Sequence, residues 1–339
     1  MFSDKKQYSI VDSRDYTLYL NPLFIIKYIY LLLININLKE KLTKQIFHIY
    51  YLAILEYIKP KVVITYIDNN SIYLWLAKNY KKSNFIAIQN GIRQKFGNSD
   101  YKNICEHDHF YCFGQYDIQK HFELGCKINN AYPVGSYRAG LMPVKDEKIV
   151  KKYDICIISS DGRREPNLIK EKGIRDIAFS NRKIDKLLHR YISLKNLNIV
   201  IALSTNTKEE NNYYRNLFGN GIKMIGKTNS LSTYNLVNDC KLSISFMSTM
   251  LLETIGLGNK AISIHFDDTD LYFDYPKEIK YVYRDFKSFS KYMDTLLNMS
   301  DSDYENKIKN IKKYIMNNDK MNPPHMIIKR HINRIINNI

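Results

Sequence analysis

Glycine and proline are scarce in this sequence, with 13 Gly and 8 Pro among 339 residues. That scarcity excludes collagen-like and Pro-rich low-complexity architectures and implies a compact chain with mostly short connections. No segment repeats, and no long linker interrupts the chain. No uninterrupted apolar run reaches the roughly 20 residues that cross a bilayer. The most apolar stretch, PLFIIKYIYLLLININ at 22–37, is broken by Lys27. The first twenty residues carry charge throughout and lack the clean apolar core of a cleavable signal. Residues 22–37 therefore read as a buried helix continuing amphipathically through Leu38 to Tyr57, with a membrane-facing helix as the lesser alternative. Cysteine is sparse too: Cys105, Cys112, Cys126, Cys156 and Cys240 form no CxxC pair and no metal-ligand rhythm with histidine. A reducing compartment fits that pattern. Cys105, His107, His109 and Cys112 have zinc-binding chemistry, but HDHFYCFG reads as a strand entering a turn. Alternate residues would then face opposite ways, which favours a structural role.

What the chain has in quantity is apolar core and positive charge. Hydrophobic residues make up 45% of the sequence, enough for two domains of ordinary size. Lys and Arg number 51 against 34 Asp and Glu, a formal net charge of +17. Such an excess attracts acidic partners, and nucleic acid, anionic lipid and phosphorylated small molecules all qualify. The 28 tyrosines offer stacking platforms for single-stranded nucleic acid. They lie within apolar periodic segments such as FHIYYLAILEYI, however, which reads as core and boundary packing.

Strand and helix patterns alternate along the chain. Val62 to Ile67 reads as a strand ending in Asp68, Ser71 to Tyr80 as a helix, and Phe85 to Ile88 as a strand ending in Gln89, Asn90 and Gly91. His109 to Phe113, Asp117 to Leu124 and Ala131 to Val134 continue the series, and Gly140 to Lys152 reads as a linker. A second series begins with the strand Tyr153 to Ser159, leading into Asp161, Gly162, Arg163 and Arg164. It continues with a helix at Ile184 to Leu194 and a strand at Leu197 to Leu203 that ends in Ser204, Thr205 and Asn206. Lys208 to Phe218, Ile222 to Ile225 and Thr233 to Val237 follow. The tail from Phe286 is helical and basic, broken by Pro323 and Pro324. This is α/β organisation: two Rossmann-like domains facing a cleft, at 1–142 and 143–320, with a C-terminal amphipathic helix at 321–339. In parallel sheets, ligands gather beyond the carboxyl ends of the strands. Asp68, Gln89, Asn90 and Gly91 are candidates by that rule, although turns require the same residue types.

The segment Lys241 to His265, KLSISFMSTMLLETIGLGNKAISIH, packs strand, turn, helix and strand into one short unit. Ser248 and Thr249 stand where the helix begins, and Gly256 and Gly258 end it. Unpaired N–H groups and the positive end of the macrodipole make such a start a place for phosphate. An ordinary N-cap in a βαβ unit accounts for the pattern equally well.

Two α/β domains with this segment and a helical tail resemble the GT-B class of nucleotide-sugar glycosyltransferases. SFMSTMLLETIGLGNKAISI is similar to the donor-site segment of bacterial surface-polysaccharide transferases. FIAIQNGIR and YCFGQYDIQKHFELGCKINNAYPVGSYR resemble the N-terminal half of a surface carbohydrate biosynthesis family. The resemblance spans scattered blocks between about residues 60 and 265. It implies that Ser248, Thr249, Arg163 and Ser204 bind donor phosphate and that Glu253 binds the ribose. Asp68 would act as the base that takes the acceptor proton. Gln89, Asn90, Asp161 and Asp267 would contact sugar or acceptor. Glu253 is equally accounted for as a surface or capping carboxylate favoured by the helix dipole, and Asp161 to Arg164 as a solvated turn. Enzymes using CMP-activated acidic sugars carry a His-Pro pair where this chain has STNT, which speaks against a CMP donor. His265 reads as a satisfied strand-end histidine, and the nearby Asp267, Asp268 and Asp270 as a decoy for a metal motif.

The resemblance thus implies metal-independent transfer without a cofactor, the nucleotide-sugar being a substrate. Its expected partners are that donor, a glycan or lipid-linked glycan acceptor, and an anionic inner-membrane surface, with no nucleic acid. The expected location is peripheral, at the cytoplasmic face of the plasma membrane, held by the tail helix or by residues 22–37. A CDP-polyol phosphotransferase and a nucleotide-sugar epimerase share the architecture. A nucleic-acid-binding protein is the rival from another class, against which stands the lack of a recognised module.

Overall fold

The computed structural model describes residues 21–35, 42–93, 105–143, 150–160, 165–170, 172–229, 231–266 and 275–337. Two helices open the described chain, α1 (Pro22–Asn35) and α2 (Leu42–Ile58). Four strands follow: β1 (Val62–Thr65), β2 (Asn84–Ile88), β3 (Glu106–Cys112) and β4 (Lys127–Pro133). Between them lie α3 (Ser71–Asn79) and α4 (Gln115–Glu123). The strands pair in the order β1-β2-β3-β4, all parallel. Phe24 and Leu31 of α1, together with much of α2 and α3, bury one face of this sheet.

The second unit starts with β5 (Tyr153–Ile158), α5 (Lys172–Lys195), β6 (Ile199–Ala202), α6 (Lys208–Phe218) and β7 (Lys223–Ile225). It continues through α7 (Ser232–Asn238), β8 (Cys240–Ser245), α8 (Thr249–Gly256), β9 (Ala261–His265) and β10 (Lys280–Val282). Its sheet runs β10-β9-β8-β5-β6-β7, again fully parallel. Parallel strands need both faces covered, and IVIA of β6 is buried along its whole length. In strand order of appearance this is 3-2-1-4-5-6, the doubly wound arrangement. The chain reverses direction between neighbouring β5 and β8, so the loops after these two strands diverge and open a crevice.

Helices α9 (Phe286–Asn298), α10 (Asp301–Ile315) and α11 (Pro324–Asn337) close the chain. Proline suits the first turn of a helix, where its missing N–H is not needed, and Pro324 opens α11. Ile328 and Ile332 of α11 are buried against Ile86, Ile88, Tyr111 and Val134 of the first sheet. The tail is therefore part of the first unit's core. On the way back, Asn317 donates to the carbonyl of Phe113 at 2.8 Å and to that of Pro133 at 2.6 Å. Gly135, at φ +90°, leaves room for Asn318, which a side chain at that position would strike.

The sequence predicts one buried helix running through residues 22–57, but α1 and α2 are separate, and most of the apolar residues of α1 face solvent. The expected all-thiol cysteines include a disulfide, Cys105–Cys126, while Cys112, Cys156 and Cys240 are buried and free. His107 stacks on Phe110 with ring centroids 5.0 Å apart, which gives the Cys/His cluster a packing role.

Candidate functional site

A cavity of about 530 Å³ lies between the units, at the β5/β8 reversal. Ile158 ends β5 at its edge and Ser159 and Ser160 follow into it, Leu203 and Ser204 follow β6, and Met247, Ser248 and Thr249 follow β8. Asn90 and Arg138 reach it from the first unit, and Lys227, Asn229, Thr233, Tyr234 and Glu253 from the second. The expected Ser248, Thr249, Ser204, Glu253 and Asn90 are thus brought to one space.

The start of α8 is held on three sides. Ser248 is its N-cap, with extended backbone, and its Oγ accepts from Met250 N at 3.2 Å. The hydroxyl of Tyr275 accepts from Ser248 N at 2.9 Å and donates to Ser248 O at 3.0 Å. Thr249 Oγ1 accepts from Ile92 N of the first unit at 3.0 Å. Both helix-start hydroxyls are therefore engaged within the protein.

Glu253 lies one turn further along. Its Oε1 accepts from Ser136 Oγ and, at 2.8 Å, from Tyr234 OH. Its Oε2 makes no hydrogen bond among the described residues. Burial pushes the Glu253 pKa up, and the hydroxyl bonds with the charges of Arg138 and Lys227 only partly oppose that. Arg138 also stands 5.2 Å over the Tyr66 ring, which fixes its direction.

Ser204 belongs to a loop wrapped around Glu210. Glu210 accepts from Ser159 Oγ, from the backbone N–H groups of Ser204, Thr205 and Asn206, and from Thr205 Oγ1. Burial would raise its pKa, but this set of donors prevails and lowers it. The result is a cavity wall after β6 held by many bonds, with Ser204 Oγ itself making no hydrogen bond among the described residues.

The first unit's candidates divide. Asn90 lines the cavity, donates through its backbone to Asp68 Oδ1 at 3.2 Å, and accepts from Arg93 Nη2 at 2.9 Å. Asp68 is 0% exposed, and the Arg93 guanidinium closes over both its oxygens. A carboxylate so sealed is not placed to take an acceptor proton, and the geometry opposes the expected base. Gln89, 1% exposed, spends its amide on Asp117 Oδ1 at 2.6 Å and Gly91 O at 2.9 Å. Its carbonyl accepts from Phe113 N at 3.1 Å, so it supports the 89–93 loop and does not face the cavity. Arg163, Asp161 and Asp267 lie outside the described residues. His265 Nε2 sits 2.7 Å from Ser263 Oγ, a buried pairing as expected. Among the described residues, no group of three or more His, Cys, Asp and Glu stands close enough to hold a metal ion.

Arg138, Lys227, Ser136 and Tyr234 join the cavity without a motif that marks them in the sequence; Ser136 and Arg138 follow the end of β4 and Lys227 the end of β7, a position they share with many other polar residues.

Residues 86–330, more than half of the chain, match the family described as "putative O-antigen biosynthesis protein". The chain belongs to that family. No curated protein matches it. Among solved structures it is similar to the UDP-GlcNAc 2-epimerase of Methanocaldococcus jannaschii in complex with UDP-GlcNAc and UDP. The TM-score is 0.56 at 16% identity, covering 85% of this chain and 80% of that one. Similarity to Staphylococcus aureus MnaA bound to UDP has a TM-score of 0.55 at 13% identity, covering 84% and 79%. A glycosyltransferase from Rickettsia africae gives 0.51 at 12%, covering 89% and 83%. These likenesses establish the fold, which is GT-B: two parallel α/β units across a cleft, with the C-terminal helix returned to the first.

Proposed function

We propose that this protein is a glycosyltransferase that moves a sugar from a nucleotide-activated donor to a hydroxyl of a surface-glycan acceptor. The observation that carries this reading is the cavity at the β5/β8 reversal, bounded by a helix start and two cations with a buried carboxylate at its side. Membership of an O-antigen biosynthesis family supports a glycan product.

Arg138 and Lys227 face a diphosphate in this reading, together with the positive end of α8. Fixed cations across from a helix start stabilise the charge that develops on the leaving nucleotide, without a metal. The Oε2 atom of Glu253 accepts from a ribose hydroxyl, while Ser136 and Tyr234 hold the carboxylate in place. The wall at Ser159 and Ser204 borders the base. Asn90 stands opposite, on the acceptor side. The reaction runs at the cytoplasmic face, where nucleotide donors are made, and the +17 charge draws the protein to anionic lipid.

Thermal-shift screening against UDP, GDP, CDP, CMP and their sugars tests the site, because a ligand bound only by the native state raises Tm. One nucleotide should stabilise the wild type, and Arg138→Ala with Lys227→Ala should abolish the effect. Glu253→Gln should weaken nucleotide binding roughly tenfold by replacing an acceptor with a donor. No shift with any nucleotide would defeat the proposal. Isomerisation of the sugar without an added acceptor would identify an epimerase instead.

A further inference from the structure

Helix α1 exposes a continuous apolar face. Its 14 residues contain one charge, Lys27, which lies 3.9 Å from Glu56 of α2. Phe24 and Leu31 point inward, and the Phe24 ring meets Tyr50 edge-on at 5.3 Å. The opposite stripe follows the helical period: Leu23, Ile26, Ile29, Tyr30, Leu33 and Ile34 are all exposed, Leu33 by 74%. Asn21 caps the helix, its Oδ1 accepting from Leu23 N at 3.0 Å and Phe24 N at 3.4 Å. The stripe is therefore held in position by a packed inner face.

We propose that this face of α1 docks the protein on an anionic lipid surface, lying in the plane of the interface. The inference rests on the proposed transfer to a surface-glycan acceptor at the cytoplasmic face and names the element that holds the enzyme there. At 14 residues the helix is too short to span a bilayer, which takes roughly 20. A stripe about 20 Å long and 10 Å wide offers on the order of 200 Å², well short of the roughly 800 Å² per partner in a stable protein dimer. A lipid interface has no such requirement, since it accepts a single apolar helix face flanked by basic residues. The sequence around the helix has the matching sign: residues 22–61 contain six Lys against Glu40 and Glu56, although Lys27 faces Glu56 and Lys61 donates to Ile336 O. The other helix considered for this role, α11, has already buried Ile328 and Ile332 against the first sheet.

The test is co-sedimentation of the full chain with phosphatidylcholine vesicles containing about one-third phosphatidylglycerol. The wild type should pellet at low salt and in part at high salt, since salt screens the lysines but not the apolar stripe. The variant Leu23→Ser, Ile26→Ser, Ile29→Ser, Leu33→Ser should bind at least roughly tenfold more weakly. All four positions are exposed, so its Tm and its nucleotide-induced shift should match the wild type. Independently, Ile29→Trp should show a blue-shifted emission when vesicles are added. Absence of wild-type pelleting, undiminished pelleting of the variant, or an unshifted Trp spectrum would each overturn the proposal. So would a wild-type dimer in solution that the variant converts to a monomer. A wild type that shows the nucleotide shift but no vesicle binding sinks this inference alone, whereas an absent nucleotide shift sinks the donor site.

Discussion

Thr249 accepts a hydrogen bond from the backbone N–H of Ile92 at 3.0 Å, tying the start of α8 in the second unit to a loop of the first. Ile92 is buried, and its N–H has few alternatives if that acceptor is removed. Thr249→Val keeps the shape and deletes the acceptor. It should cost about 1–3 kcal/mol, the range for stranding a buried donor. Thr249→Ser should restore most of this. Chemical denaturation of the three proteins provides the comparison, and equal midpoints for Val and Ser would show that the bond contributes nothing.

Asp68 and Arg93 make a second pair whose nature can be measured. Arg93→Ala leaves a buried carboxylate without its cation and should destabilise by about 3–5 kcal/mol. Asp68→Asn combined with Arg93→Gln should be less damaging than the sum of the two single changes. If Asp68 were instead the catalytic base, Asp68→Asn would abolish turnover while leaving Tm unchanged.

Asp117 gives a stability change with a definite sign in pH. Burial raises its pKa to about 7 from an ordinary 3.8, despite the hydrogen bond from Gln89. The folded state thus holds a proton that the unfolded chain has released over that interval. Its contribution is complete below about pH 4 and is lost as pH rises through 7. Asp117→Asn removes the ionisation and keeps an acceptor for Gln89. The variant should gain on the wild type by a few kcal/mol at most between pH 5 and pH 8. Parallel pH profiles of Tm would refute this.

The Cys105–Cys126 bridge closes a loop with a sequence separation of 21. Its reduction should lower stability by about 3 kcal/mol through freedom regained by the unfolded chain. Denaturant curves with and without reductant test this. Cys105→Ala with Cys126→Ala should reproduce the reduced protein in either buffer.

Much of the architecture could be read from the sequence because its signals are local. Ser248 caps α8, the helix ends at Gly256, and a strand lies on each side of it within the segment read as strand, turn, helix and strand. Strand β10 went unread, since the three residues Lys280–Val282 carry too little periodicity to register. The exposure of α1 was hidden because an apolar run around a whole helix looks the same whether one face or both are covered. At the site, strand ends pointed to the right rim but not to the direction of each side chain. Asn90 faces the cavity, while its neighbour Gln89 turns inward to Asp117 and Phe113. Arg138 and Lys227 were masked by abundance, since two cations carry no signal among 51.

The contact of His331 in α11 with Tyr111 in β3 joins residues 220 positions apart. A sheet whose second face waits for so distant a segment cannot finish folding as it is synthesised. The first unit must remain incomplete while the whole second unit is made, with Ile86, Ile88 and Val134 open to water until α11 arrives. Closure of the first sheet is thus a contact of very long sequence separation, the kind that forms late because the chain between its partners must be ordered first.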